Sequence, residues 1–176
     1  MRSWRVISLL AVVFVAIGAI SATVLVRTAR SSDELRVYLA GRFEARPDCP
    51  LADPFVETNV DYECYDGRLA SGRPVVLILG HEVGSRTTEW SYIGVFVDHA
   101  PEGVGAASVA RVRARGDWWG RRAGGPASAH ILVPPPETEP VRAEPVGAGF
   151  FVAWRLATRP TPEKIETRLR EVAEGI

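Results

Sequence analysis

FVETNVDYECY, residues 55–65, alternates apolar and polar side chains without a break. Val56, Thr58, Val60, Tyr62 and Cys64 fall on one side, and Glu57, Asn59, Asp61 and Glu63 on the other. A period of two is the signature of a β-strand with one buried and one wet face, the usual situation in antiparallel sheets. Cys64 lands on the apolar side. Its one companion in the chain is Cys49, so a bridge between them closes a short loop. Such a loop stabilises by about 3 kcal/mol in the chain-entropy account, and the spacing is not that of a CxxC redox pair. Cys49 and Cys64 are therefore expected to form a disulfide.

Further strands follow toward the C-terminus. Pro74–Leu79 (PVVLIL) is a continuous apolar run, and Trp90–Asp98 and Val146–Ala157 are apolar on both faces. Short runs of this kind, bounded by turn residues, read as central strands. Val109–Arg115 alternates small apolar residues with Arg111, Arg113 and Arg115, and Ala129–Val133 is a shorter strand stopped by Pro134-Pro135-Pro136. The segment from there to Pro145 reads as a proline-rich surface loop.

Helices flank these strands. Ser31-Ser32-Asp33 supplies capping side chains, and Leu35, Leu39 and Phe43 repeat every four residues, which predicts a helix over about 33–45. Near the other end, Thr161 is placed to cap, Pro162 to occupy the first helical position and Glu163 to face the positive helix terminus. Ile165, Leu169, Val172 and Ile176 then form one apolar stripe. Helix, about six strands, helix is the order of an α+β domain with an antiparallel sheet, a flanking N-terminal helix and a C-terminal amphipathic helix.

In front of this domain stands Val6–Val26 (VISLLAVVFVAIGAISATVLV), which contains no charged residue. At 1.5 Å per residue, about 20 apolar residues span the hydrocarbon core of a bilayer. Arg2, Arg5 and Trp4 precede the run, and Arg27 and Arg30 follow it. We read a transmembrane anchor or uncleaved signal over 6–26, a cytoplasmic tail over 1–5 and an extracytoplasmic domain over 27–176. The competing reading is a signal peptide cut after Ala19-Ile20-Ser21. Gly18, Ser21 and Ala22 also offer a small-residue face for helix contacts, as in a structural subunit of a membrane complex. Export agrees with a disulfide, which persists in oxidising compartments.

The 176 residues carry 21 basic and 21 acidic side chains, a net charge of zero, which excludes the electrostatic footprint of a nucleic-acid binder. Lys164 is the sole lysine. Charge is nevertheless segregated. Asp48, Asp53, Glu57, Asp61, Glu63 and Asp66 lie in a stretch with no base, while Arg111, Arg113, Arg115, Arg121 and Arg122 surround Asp117, Trp118 and Trp119.

Three constellations bear on function. Gly80-His81-Glu82-Val83-Gly84 has the outline of a nucleophile elbow, but glutamate replaces the serine, so the glycines read as a turn between strands. His81, His99 and His130, with Glu82 and Asp98 beside them, could make a zinc site for a metal-dependent hydrolase, although no local ligand motif accompanies them. The Arg111–Arg122 segment pairs aromatic rings with guanidinium groups. That chemistry suits anionic lipid, a glycan or an envelope protein; alternatively, the basic and acidic stretches pair with each other across strands. The expectation is a non-enzymatic binding or accessory module of the cell envelope with no cofactor, and the metal-dependent hydrolase is the alternative.

Overall fold

The computed structural model describes residues 32–51, 54–55, 59–83, 91–100, 103, 105–106, 109 and 137–175. Two compact units divide the chain, Met1–Tyr38 and Leu39–Ile176, and the sheet belongs wholly to the second. Helix α1 covers 32–42. The strands are β1 (Glu44–Arg46), β2 (Val60–Arg68), β3 (Pro74–Glu82), β4 (Ser91–Val97), β5 (Arg142–Val146) and β6 (Gly149–Leu156), and helix α2 is Pro162–Ala173. All pairings are antiparallel, in the order β1-β2-β3-β4-β6-β5, so the fold is α+β. The run Val6–Val26 lies outside the described residues, and among those residues no helix is long and apolar enough to cross a membrane.

Register sorts the side chains onto two faces. Cys64, Ile78, Gly94 and Ala153 align across four strands, as do Leu79, Ile93 and Trp154 one residue along. The first face carries Cys64, Val76, Ile78, Tyr92, Phe96, Phe151 and Ala153, and Leu51 and Phe55 close over it. The second carries Leu77, Ile93, Val95, Val152, Trp154 and Leu156, all buried. Every residue of β4 and β6 is buried, which is why these strands are apolar on both sides in the sequence.

Helix α2 packs on β4. Thr161 Oγ1 accepts the Lys164 N–H at 3.3 Å, and Pro162 begins the helix. Ile165, Leu169 and Val172 are buried, each gaining roughly 1.5–3 kcal/mol on leaving water. The helix gives way at Glu174 and Gly175, the latter at φ 90°, and Ile176 is outside the described residues. At the end of α1, Phe43 fits over Gly67, where a Cβ would stand 2.3 Å from the ring, and Arg42 ties to Glu166 of α2 at 3.1 Å.

Several sequence expectations need correction. β3 does not stop at Leu79 but runs on through Gly80, His81 and Glu82, so these residues are ladder, not turn. Gly80 is required by packing: a Cβ there would lie 2.7 Å from the Phe55 ring. The segment expected to be proline-rich loop contains β5, in which Pro145 is tolerated because β5 is an edge strand. Val146 and Gly149 close a two-residue hairpin loop with Gly147 at φ 60°, so Val146–Ala157 is not a single strand. α1 ends at residue 42 rather than 45. Within the strand read over Phe55–Tyr65, the described ladder begins at Val60 and continues to Arg68, and Tyr62 on its apolar side is 38% exposed. Val109 N–H bonds to Gly105 O at 2.8 Å in a helical turn; the rest of Val109–Arg115, and Ala129–Val133, lie outside the described residues.

Candidate functional site

The Cys49–Cys64 disulfide is present, with Cα atoms 5.6 Å apart. It has an architectural consequence. Pro47 cannot donate to a ladder, so β1 ends at Arg46, opposite Cys64, and the chain crosses onto the sheet face. The bridge holds that crossing in place, and Leu51 and Phe55 beyond it reach the core. Phe55 meets Tyr92 at 5.0 Å and Phe151 at 6.4 Å between ring centroids. Arg142 Nη1 donates to Pro54 O at 2.8 Å and fixes the far end of the cover.

Next to this cover is a charged cluster that the sequence does not announce. Arg155, on β6, has only 7% of its side chain exposed, and its guanidinium stands 5.5 Å from the Tyr92 ring centroid. Its Nη2 lies 3.8 Å from Glu82 Oε2, while Asn59 Nδ2 donates to Glu82 Oε1 at 3.3 Å. The Val83 N–H donates to Asn59 O, closing the end of the β2–β3 ladder. Burying two charges costs several kcal/mol per ion unless each is matched, so this pair fixes strand register more than it adds stability. A single arginine inside an otherwise apolar run is the signal that identifies Arg155.

A second charged group joins α2 to the segment before β5. Arg168 donates to both Glu171 carboxylate oxygens at 2.6 and 2.7 Å and to Glu137 O at 2.6 Å, with its guanidinium 5.2 Å from the Trp154 ring. Lys164 donates to Glu137 Oε2 at 2.7 Å, and the Ala157 N–H donates to Glu137 Oε1 at 2.7 Å. The Lys164 hydrogen bond, opposed in part by desolvation, holds the Glu137 carboxyl below the usual carboxylate range. On β2, Tyr65 hydroxyl donates to Glu63; burial, with that bond and the adjacent negative charge, pushes the phenol up to about 12.

Two open grooves border β1 and β2. The larger, of about 910 Å³, combines Phe43, Val76 and Phe96 with Arg42, Arg46 and Arg68. These cations already serve the fold: Arg46 bonds Asp66 at 2.9 Å, Arg42 bonds Glu166, and Arg68 Nη1 donates to Gly72 O at 2.9 Å. The smaller, of about 520 Å³, runs beside the disulfide along the outer edge of β2.

The histidines do not converge. His81 is exposed near one end of β3, opposite Ser91. His99 follows β4 at the other end of the sheet, at φ 49°, with Nδ1 3.0 Å from Asp98 Oδ2. The seven residues of β4 separate them by about 20 Å, too far for both to ligate one ion. Among the described residues no group of three histidines, cysteines or carboxylates could hold a metal. His130, and Arg111, Arg113, Arg115, Trp118, Trp119, Arg121 and Arg122, lie outside the described residues.

The class that fold and site define is an α+β domain on a six-stranded antiparallel sheet, one face of which is closed by a disulfide-stapled crossing. Compared with family models, curated proteins and solved structures, the chain finds no match.

Proposed function

We propose that this chain is a membrane-tethered binding module of the cell envelope. Val6–Val26 is the single-pass anchor, residues 1–5 remain in the cytoplasm, and the sheet domain stands outside. The observation that carries this reading is the Cys49–Cys64 disulfide in a chain whose N-terminal region has a charge-free run of spanning length. Disulfides persist outside the cytoplasm, and a first helix with a short basic flank keeps that flank inside.

The module works by contact and without a cofactor. Its basic, tryptophan-bearing segment Arg111–Arg122 engages an envelope polypeptide, anionic lipid or glycan. The buried charges support the same reading: Glu82 with Arg155, and Arg168 with Glu171, are engaged in holding strands and a helix together.

The test is alkylation of free thiols in the native membrane fraction, followed by non-reducing mass spectrometry. The expected result is a bridged Cys49–Cys64 peptide from an integral membrane species with its N-terminal segment intact. Freely labelled thiols at both positions defeat the placement. For the binding role, Trp118→Ala with Trp119→Ala is expected to weaken attachment to anionic vesicles or envelope extract while the disulfide and fold remain; undiminished binding defeats it.

A further inference from the structure

The outer edge of β2 is half open. β1 pairs with it only at Cys64, Tyr65 and Asp66, although β2 begins at Val60. Pro47 and the disulfide draw the preceding chain off the edge, leaving the 520 Å³ groove lined in part by Asp48, Cys49, Tyr62 and Glu63. Asp61, Tyr62 and Glu63 are all exposed there. The two carboxylates share one face of the strand and Tyr62 lies on the other, since successive residues alternate. An open edge is a template for an added strand. The acids decide which strand: a second copy of the same edge is repelled, because like charges directly opposite destabilise.

The complementary pattern is in this chain's own sequence. Arg111-Val112-Arg113 carries two cations at alternate positions with an aliphatic side chain between them. Set beside Asp61-Tyr62-Glu63, it places guanidinium groups across from the carboxylates and Val112 beside the Tyr62 ring. Geometry then decides which copy supplies it. Gly105 lies against the Phe150 ring of β6, where a Cβ would stand 2.0 Å from it, and Val109 bonds to Gly105. From β6 to a strand added outside β2 is four inter-strand spacings, about 19 Å. Arg111 and Arg113 are two and four residues beyond Val109, a reach of at most about 7 and 14 Å.

We propose that the open edge at Val60–Glu63 docks the Arg111–Arg113 segment of a second copy of this chain. The proposal rests on the binding-module reading in making the basic segment the contact, and it names the partner.

The test uses the full-length protein in detergent, with its assembly followed by sedimentation over a range of concentration. Reversible self-association is expected. Asp61→Lys with Glu63→Lys weakens it roughly tenfold or more, as does Arg111→Glu with Arg113→Glu, and the combined charge swap restores it. Tyr62→Cys with Val112→Cys gives a covalent dimer on a non-reducing gel, with the Cys49–Cys64 peptide mass as the check on folding. A monomer at every concentration, or association indifferent to both reversals, overturns the proposal. The Trp118 and Trp119 variant bears on vesicle or envelope binding alone, so the two readings fail separately.

Discussion

One face of the sheet is closed by α2, whose cap, proline and apolar stripe are all contained in thirteen consecutive residues, Thr161–Ala173. The other is closed by a crossing that begins at Pro47 and has little regular structure, brought down by Leu51 and Phe55 and fastened by Cys49. A helix satisfies its own backbone and needs only a stripe to bury. An irregular segment has no such ladder, so covalent and side-chain ties substitute for it: the disulfide at one end and Arg142 on Pro54 O toward the other. Comparable apolar cover is thus obtained by local order on one side and by external fastening on the other.

The largest effects test whether the two covers carry equal weight. Trp154→Ala under α2 and Phe55→Ala on the crossing should each cost about 3–5 kcal/mol in urea unfolding. Replacing both cysteines by serine should cost about 3 kcal/mol. The sharper outcome is the coupling: without the bridge, Phe55→Ala should cost clearly less, while Trp154→Ala costs the same. Equal losses in both backgrounds would mean that the crossing holds itself down and the bridge is incidental.

A smaller effect is expected at Gly80. Gly80→Ala forces a methyl against Phe55 and should destabilise by about 1–3 kcal/mol, with most of the loss recovered in the Phe55→Leu background. An unchanged urea midpoint in the single variant would show that the Phe55 ring yields freely and that this cover is looser than its packing indicates.

The smallest effect is electrostatic and belongs to the helix side. Glu137 has its carboxyl pKa lowered in the folded state, so its contribution is present above the unfolded carboxylate range and is lost as pH falls through the folded value. Glu137→Gln should therefore lower stability near neutral pH and flatten the acid limb of the stability profile. Tyr65 works in the opposite sense: its contribution is present below its ordinary value and lost as pH rises toward about 12. A profile in which the Gln variant runs parallel to the parent from pH 7 to 3 would remove Glu137 from the fastening of α2.

How much could be read beforehand follows the same division. The cap at Thr161, the start at Pro162 and the stripe Ile165, Leu169 and Val172 are interactions within a few residues, so α2 was legible at once. Arg168 was not: its place on the buried side depends on Trp154 and Glu137, which meet it only in the folded chain. Gly80 reads as turn punctuation in one dimension, whereas its role is to leave room for a ring from another segment. β5 hid behind its prolines because edge position, which makes Pro145 acceptable, is a property of the sheet. For the candidate site, the cysteine pair was legible from number, spacing and strand phase; the Glu82–Arg155 pairing and the separation of His81 from His99 were not.

What the sequence determined by itself is therefore what short range can specify: alternation for strands, capping and a stripe for α2, and the charge-free run Val6–Val26. The tertiary structure decided strand order, the insertion of β6 between β4 and β5, the open edge of β2 and the company kept by each buried charge. Those features depend on which distant segments become neighbours, and that is set by register and by the shared burial of both sheet faces, where one residue's environment is supplied by residues far from it in the chain.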